Sequence, residues 1–326
     1  ALSFLIVAIL PLVSHLGHPF RAYEIMTTPQ IGSAMAIFGF VYLWYLMVVL
    51  LLEIWFDYRH DLVVWADQSK GFKRRIYKIL TLGVTDISPK ALAWDEKLGY
   101  IVTVIGIPSA FLLHGYVGFI FGSIKANPWW STVLMPVIFL LSAMVSGIAL
   151  VMFLYMIISW IRKVKIDMAC LDEIGKFLFM VLILDFTLES LDQVHRIYEA
   201  EESFEILHLL VNGKLTMTLF IFQGLMGTII PLVILGLFRM YLPKEKIRIP
   251  MYFLVSNLVL FGVFFMRWNV VIGGQLFSKS FLGFTSFKLG MIGAEGFLMA
   301  LVWMIMPFLI LSFILWLVPP WKKHSE

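Results

Sequence analysis

Three carboxylates lie close together in one apolar segment, FLFMVLILDFTLESLDQVHRIYEAEE. Asp185, Glu189 and Asp192 stand at offsets 0, 4 and 7, which fall on one face of a helix. Carboxyl groups at lipid depth can exchange protons near neutral pH, because a low dielectric disfavours their charged form. The spacing predicts an acid ladder that passes protons between water and a buried site. Structural pairing with basic groups of neighbouring helices is the alternative.

A second set of polar side chains accompanies other apolar runs. His114 lies within IPSAFLLHGYVGF, either as a hydrogen-bonded packing residue or as a partner for a quinone carbonyl, because imidazole titrates near neutral pH. Arg267, Asn269 and Gln275 belong to FFMRWNVVIGGQ, and Glu295 lies near enough in the predicted topology to pair with Arg267. We expect these groups to form a quinone pocket or its rim. The alternative is a plain interfacial anchor, with the arginine head reaching the membrane surface.

The elements that position these groups are membrane-spanning helices. The chain has 326 residues, of which 61% are hydrophobic and only 14% are charged, whereas a soluble domain carries about 25% charged residues. Lipid forces backbone groups to pair internally, which favours helices. We therefore predict an all-α, polytopic transmembrane helical bundle of about eight spans, the first one truncated. The apolar runs cover residues 1–13, 31–56, 100–122, 131–161, 174–194, 215–240, 250–267 and 289–318.

The loop charges predict the orientation. Eighteen of the 25 Lys and Arg residues fall on one side of this eight-span arrangement, which the positive-inside rule assigns to the cytoplasm. We expect one transmembrane domain over residues 1–326, with 57–99 as a cytoplasmic basic loop in contact with lipid headgroups and with a cytoplasmic C-terminus. The motif FFMRWNVVIGGQ then faces outward. Because the sequence starts within an apolar run and without Met, we expect the natural N-terminus, with one or more helices, to be missing.

Several kinds of site are excluded. One cysteine, Cys170, is too few for a disulfide framework or for an iron–sulfur cluster bound by this chain. A haem with two histidine ligands is not expected, because it needs a second histidine at the depth of His114, and His15, His18, His195 and His208 lie near the outer surface. The sequence carries no metal-ligand spacing, Walker sequence or nucleophile elbow. Basic loops account for the positive net charge, so we expect no nucleic-acid binding.

Three segments together resemble the NrfD/PsrC family of membrane subunits. The first is LGHPFRAYEIMTTP followed by MAIFGFVYLWYLMVVLLLE, and the second is GIPSAFLLHGYVGFIFGSIKANPWWSTVLMPVIFLLSAMVSGIAL. The third, RWNVVIGGQ, is most similar to the DsrP/HmcC branch. The matching residues in the first two segments are Leu16, Gly17, Pro19, Arg21, Glu53, Pro136, Ser142 and Gly147.

The resemblance implies a cofactor-free helical subunit that binds menaquinone or ubiquinone near the outer face of a prokaryotic cytoplasmic membrane. It also implies a docked ferredoxin-like subunit with 4Fe–4S clusters on that face. The DsrP branch further implies cytochrome b, cytochrome c and cytoplasmic iron–sulfur subunits, in sulfur metabolism. Such a chain is not catalytic alone. It is a quinone-reactive part of a multi-subunit oxidoreductase.

The hypothesis is that menaquinol is oxidised, or menaquinone reduced, near His114 and the outer half of the fifth span. The ladder acids would carry protons, and Arg267, Asn269 and Gln275 would order the rim. A proton-coupled transporter or channel is the rival, because buried carboxylates and a histidine suit it equally well. A membrane anchor without quinone chemistry is the third reading.

Overall fold

The computed structural model describes residues 1–14, 17–28, 30–198, 204–278, 283–288, 290–293 and 296–319, without the side chains of Met26 and residues 196–198. The described chain is almost entirely helical, so the predicted polytopic helical class is confirmed. The α-helices are α1 (Leu2–Ala8), α2 (Leu10–Ser14), α3 (Glu24–Thr27), α4 (Ala34–Leu43), α5 (Leu51–Gln68), α6 (Gly71–Leu80), α7 (Pro89–Gly122), α8 (Met135–Ile161), α9 (Met168–Tyr198), α10 (Phe204–Leu209), α11 (Ile230–Met240), α12 (Glu245–Gln275) and α13 (Phe297–Leu317).

Wider, π-helical turns interrupt or extend several of these helices. Residues Trp44–Leu50 join α4 to α5, and Met217–Ile229 continue into α11. A shorter π-helical piece, Leu210–Lys214, follows α10, and Pro19–Arg21 form a 3₁₀ turn. Such turns are rare and often occur at functional sites. The Met217–Ile229 stretch is therefore of interest for the site described below.

Six helical segments of the described chain are long and apolar enough to cross a membrane. They are Ala34–Gln68, Pro89–Gly122, Met135–Ile161, Met217–Met240, Glu245–Gln275 and Phe297–Leu317. Helix α9 is 31 residues long, but the ladder acids interrupt its apolar run. The apolar residues Leu2–Ser14 form a shorter helical piece. The chain is a multi-pass integral membrane protein, and the number eight stays a prediction.

Two helix boundaries differ from those predicted. The 57–99 stretch, expected as a loop, contains the end of α5, all of α6 and the start of α7. The seventh predicted span, expected to end at Arg267, continues without a break to Gln275. Neither boundary is visible in the apolar runs, because polar residues continue a helix as readily as apolar ones when neighbouring elements cover them.

The chain divides into two compact units, residues Ala1–Leu113 with Lys288–Glu326, and residues His114–Phe287. In the first unit, the buried guanidinium of Arg59 binds the carboxylate of Asp95 and donates to the carbonyl of Asp86 at 2.6 Å. These contacts join α5 to α7 and to the turn before it. Hydrogen bonds from Ser88, and the nearby Arg59 charge, hold the pKa of the exposed Asp86 carboxyl below its usual value.

The second unit packs α8, α9, α11 and α12 around a layer of buried aliphatic side chains. Leu178 and Leu182 of α9 lie in this layer with Val145 and Ala149 of α8. The π-helical stretch crosses α12 at very short range, since a Cβ on Gly227 would lie 2.2 Å from the Cα of Gly262. Only two glycines permit that approach, and small residues at helix crossings are typical of membrane bundles. The contact fixes the π-helical stretch against α12.

Candidate functional site

The three ladder acids face the interior of the second unit. Asp185 and Asp192 are buried and Glu189 is half-buried, whereas the intervening Phe186 and Leu191 are exposed. Exposed apolar side chains on a helix of an integral membrane protein suit a lipid-facing surface. The offsets of 0, 4 and 7 thus correspond to one inward face of α9.

Each ladder acid has a different environment. Asp192 accepts a hydrogen bond of 2.6 Å from the hydroxyl of Thr132, and Glu189 accepts one of 3.1 Å from the amide nitrogen of Gln223. Asp185 keeps a buried Oδ1 with no hydrogen-bond partner among the described residues. Its charge interacts with those of Glu189 and Arg267. The ladder therefore changes from hydrogen-bonded carboxylates at Asp192 and Glu189 to an unsatisfied one at Asp185.

A chain of two amides continues from Glu189 into α12. The Oε1 of Gln223 accepts a hydrogen bond of 2.8 Å from the Nδ2 of Asn269, while its Nε2 donates to Glu189. Asn269 is only 1% exposed, and its Oδ1 has no partner among the described residues. The buried polar path therefore runs from α9 through the π-helical stretch to α12.

These groups border a cavity of about 440 Å³. Its walls are mostly apolar or aromatic, and its polar lining includes Glu189, Asp192, Gln223, Asn269 and a hydrogen-bonded pair, His208 and Asn212. The remaining lining residues are Trp129, Met135, Ile138, Phe186, Ser190, Gln193, Phe204, Leu207, Val211, Leu219, Phe220, Gly224, Thr228, Met266 and Val270. Apolar walls with a few convergent polar groups are typical of small-molecule sites.

A larger groove, about 570 Å³, lies at the other end of α8, around Trp160, Lys163 and Glu245. None of the predicted site residues lines it. It is a surface groove beside the loop after α8, so we regard the smaller cavity at the ladder as the candidate site.

Two tryptophans pack against α12, and Trp129 also lines the cavity. The indole nitrogens of Trp129 and Trp130 donate to the backbone carbonyls of Asn269 and Val270, at 2.9 and 2.6 Å. Gly274 makes room for the second indole, since a Cβ there would lie 2.2 Å from Trp130. The glycines of RWNVVIGGQ thus admit tryptophan rings of this chain.

Arg267 lies inside the bundle and away from the helix end. Its guanidinium donates to the carbonyl of Phe139 at 3.1 Å and to the hydroxyl of Ser142 at 2.7 Å, and it stacks over the Phe139 ring. Its charge interacts with those of Asp185 and Glu189. Arg267 does not line the cavity. It extends from α12 to α8, and its positive charge there balances the charges of the ladder carboxylates.

Of the other predicted residues, His114 adjoins this cluster through a charge interaction with Arg267. The side chains of His114 and Gln275 are exposed, and neither lines the cavity. Glu295 lies outside the described residues, so its predicted pairing with Arg267 stays a prediction. Of the eight predicted site residues, Glu189, Asp192 and Asn269 border one cavity, with Asp185 and Arg267 adjoining them through charge.

Gln223, Thr132 and Trp129 also belong to the site, although their sequence positions did not predict it. Gln223 is the one amide in the apolar run TLFIFQGLMGTII, which is a usable signal, because an amide at lipid depth needs a partner. Thr132 and Trp129 belong to a short loop that carries no such signal. Within the described residues, no group of three or more His, Cys, Asp or Glu is arranged to hold a metal ion.

Relatives of this chain are subunits of reductases or NrfD homologues. A selenate reductase subunit of Mesobacillus selenatarsenatis is 30% identical over 264 residues, which cover 79% of this chain and 59% of that protein. A putative dimethyl sulfoxide reductase membrane subunit of Halobacterium salinarum is 27% identical over 284 residues, covering 84% and 59%. The NrfD homolog of Haemophilus influenzae is 25% identical over 268 residues, covering 81% and 77%.

This chain therefore spans 59% of the length of the first two relatives. The DsrP/HmcC branch stays a prediction. The family described as "Polysulphide reductase, NrfD" matches residues 1–279. With this match over most of the chain, and with its polytopic helical fold, the chain belongs to the NrfD family.

Proposed function

We propose that this chain is the quinone-reactive membrane subunit of a respiratory electron-transfer complex, and that the cavity beside Glu189 is where it binds menaquinol or menaquinone. The observation that carries the proposal is the meeting of two carboxylates and two amides in one largely apolar cavity. A quinone ring needs apolar walls and polar partners for its two oxygens. The cavity supplies both, and about 440 Å³ lies in the range of small-molecule sites, roughly 300–1,000 Å³.

The site proposed here differs from the sequence hypothesis in one respect. The sequence placed the quinone ring near His114 and the outer half of the fifth span. The cavity borders that part of α9, together with the π-helical stretch and α12, but it does not border His114, which is exposed. We therefore assign the oxygen partners to Glu189, Asn269 and Asp192, and assign no ligand contact to His114.

The chain's residues divide the work of the reaction. Oxidation of a bound hydroquinone releases two electrons and two protons. Glu189 and Asp192 border the cavity and accept the protons, while Arg267 balances the charge that the ladder carries. Thr132 and Gln223 hold the two carboxylates in position by one hydrogen bond each. In the reverse direction the same carboxyls donate protons.

The electrons need a partner, because the sequence offers one cysteine and the described residues hold no metal-ligand cluster. We propose a ferredoxin-like subunit with 4Fe–4S clusters on the outer face of a prokaryotic cytoplasmic membrane, with the C-terminus of this chain in the cytoplasm. Two relatives are named as subunits of a selenate reductase and of a putative dimethyl sulfoxide reductase, which supports a complex with a reductase. The cytochrome and cytoplasmic iron–sulfur partners implied by the DsrP branch belong to the same proposal.

A proton-coupled transporter is disfavoured by the packing of the second unit. Going from Asp185 along α9 towards Asp172, a proton would meet the buried Leu182 and Leu178, which pack against other aliphatic side chains. Asp172 itself is held in an ion pair with Arg248 and by the Tyr252 hydroxyl. A packed apolar layer thus separates these two acidic groups within this unit.

Filling the cavity tests the proposed function. Leu219→Trp introduces an indole at the cavity wall, and Leu237→Trp introduces the same ring on the exposed face of the adjoining helix α11. In the assembled complex, we expect Leu219→Trp to abolish cluster reduction by a short-chain menaquinol, with Leu237→Trp like the wild type. Wild-type rates for Leu219→Trp in an intact complex would place the reaction elsewhere. Proton flux through liposomes that hold this chain alone would favour the transporter.

A further inference from the structure

Asn269 donates a hydrogen bond to Gln223, and Gln223 donates one to Glu189, so both bonds point towards the carboxylate. A carboxylate only accepts, so Gln223 must turn its NH₂ towards Glu189 and its oxygen towards Asn269. Asn269 must then donate its own NH₂ to that oxygen, as the 2.8 Å contact shows. The charge state of Glu189 therefore determines the orientation of both amides.

The direction of these hydrogen bonds decides whether the cavity presents a hydrogen-bond donor or an acceptor to a ligand. With Glu189 ionised, one hydrogen of the Asn269 Nδ2 is donated to Gln223, and its buried Oδ1 is without a partner among the described residues. Asn269 is also a lining residue of the cavity. A buried acceptor without a donor is costly, so a ligand hydroxyl is stabilised there. A hydroquinone has such a hydroxyl and a quinone has none.

Protonation of Glu189 allows the direction of these two hydrogen bonds to reverse. A protonated carboxyl donates, which lets Gln223 turn its oxygen to Glu189 and its NH₂ to Asn269. Asn269 then accepts with Oδ1 and has its NH₂ available. Each reversal is a rotation about a terminal amide torsion, which is broad and roughly two-fold, and the amide volume is unchanged. The backbone need not move, because the Trp129 indole donates to the backbone carbonyl of Asn269 in either state.

We propose that Glu189, Gln223 and Asn269 form a hydrogen-bond switch that matches the cavity to the redox state of its ligand. This inference rests on the proposed quinone function. Ionised Glu189 sets Asn269 to accept from a hydroquinone hydroxyl, and protonated Glu189 sets it to donate to a quinone carbonyl. Oxidation breaks two O–H bonds of the hydroquinone, sends two electrons to the iron–sulfur clusters of the partner, and leaves one proton on Glu189 and one on Asp192.

The switch links proton departure to product release. After oxidation, protonated Glu189 holds the quinone through the Asn269 NH₂, and loss of that proton returns the cavity to the state that prefers hydroquinone. The charges that face Glu189 are Asp185 and Asp192 on its own helix and Arg267 from α12, with His208 lining the same cavity. Once Asp192 has released its own proton, it can accept the proton of Glu189 and pass it towards the outer surface.

Differential binding tests the switch. The assembled complex in nanodiscs is titrated without oxygen with a short-chain menaquinol and with the matching menaquinone, over a range of pH. We expect the ratio of the two dissociation constants to change with pH by about two- to tenfold, the range of one hydrogen bond. Gln223→Met should remove the pH dependence of this ratio. Asn257→Leu, which changes an exposed amide of α12 that does not line the cavity, should retain it.

The outcomes separate the two proposals. A wild-type ratio that is independent of pH, or one that stays pH-dependent in Gln223→Met, overturns the switch while quinone binding stands. No binding of either form by the wild type removes the quinone assignment and the switch with it.

If Gln223→Met does not assemble, redox-induced infrared difference spectra of the wild type decide. The switch predicts a protonated-carboxyl band that is absent in Glu189→Gln and appears together with changes in side-chain amide bands. Amide bands that stay unchanged when this carboxyl band appears contradict the switch.

Discussion

Glu189→Gln is the substitution that separates proton transfer from ligand binding. The introduced amide keeps the size and shape of the side chain, and its oxygen can still accept the 3.1 Å hydrogen bond from Gln223. It cannot take a proton. We therefore expect menaquinol to bind close to normally and electron transfer from menaquinol to become slow.

The size of the effect follows from the position of Glu189 on the cavity wall. A positioned acid or base contributes about 10²–10⁴-fold to a rate, so a fall in kcat of at least about 100-fold is expected. That corresponds to about 2.7 kcal/mol of activation free energy. Binding should lose less, about 1 kcal/mol, because one hydrogen bond changes from a charged to a neutral acceptor.

The assay is steady-state reduction of the partner's iron–sulfur clusters by a short-chain menaquinol, in the assembled complex. Glu173→Gln is the matched control, because Glu173 is on the same helix but exposed, in a surface pair with Lys176 at 3.5 Å. We expect kcat to fall at least about 100-fold and KM to rise no more than about fivefold, for Glu189→Gln alone. An unchanged kcat, or equal losses in both variants, would refute a proton-transfer role for Glu189.

Two further predictions concern contacts that stabilise the fold. Gly274→Ala should lower the free energy of unfolding by about 2–4 kcal/mol, because the methyl group overlaps the Trp130 indole and breaks its hydrogen bond to the α12 backbone. Gly147→Ala, with nothing within 4 Å of the new methyl, should be neutral in the same thermal unfolding experiment in detergent. Arg59→Met should cost about 3 kcal/mol and speed proteolysis near residue 86, because it leaves a largely buried carboxylate unpaired. Exposed Arg74→Met is its control, and equal melting temperatures within either pair would contradict the packing described.

The sequence predicts the class of the fold and the direction of the ladder well. Few charges and long apolar runs leave little choice but membrane helices, and a period of 3.6 places Asp185, Glu189 and Asp192 on one face whatever surrounds them. That face is turned inward because the opposite face is apolar. The identity of the neighbouring helices is a long-range property that these local patterns do not contain.

The rest of the candidate site depends on those neighbours. Gln223 reaches Glu189 from a π-helical stretch that no local sequence pattern predicts. Asn269 lies inside a helix that continues beyond its predicted end. The motif RWNVVIGGQ has two roles that depend on these neighbours. Its glycines pack against two tryptophans, and its Asn269 lines the cavity. An alignment of apolar runs does not show which polar residues meet.

The most direct test of quinone binding in this cavity is a cryo-electron microscopy structure of the intact complex with a menaquinone analogue bound. We predict the ring between α9, the Met217–Ile229 stretch and α12, with one oxygen at Asn269 and the other within hydrogen-bonding reach of Glu189 or Asp192. A ring seated elsewhere, beside His114 for example, with this cavity empty or filled by a side chain, would contradict the assignment.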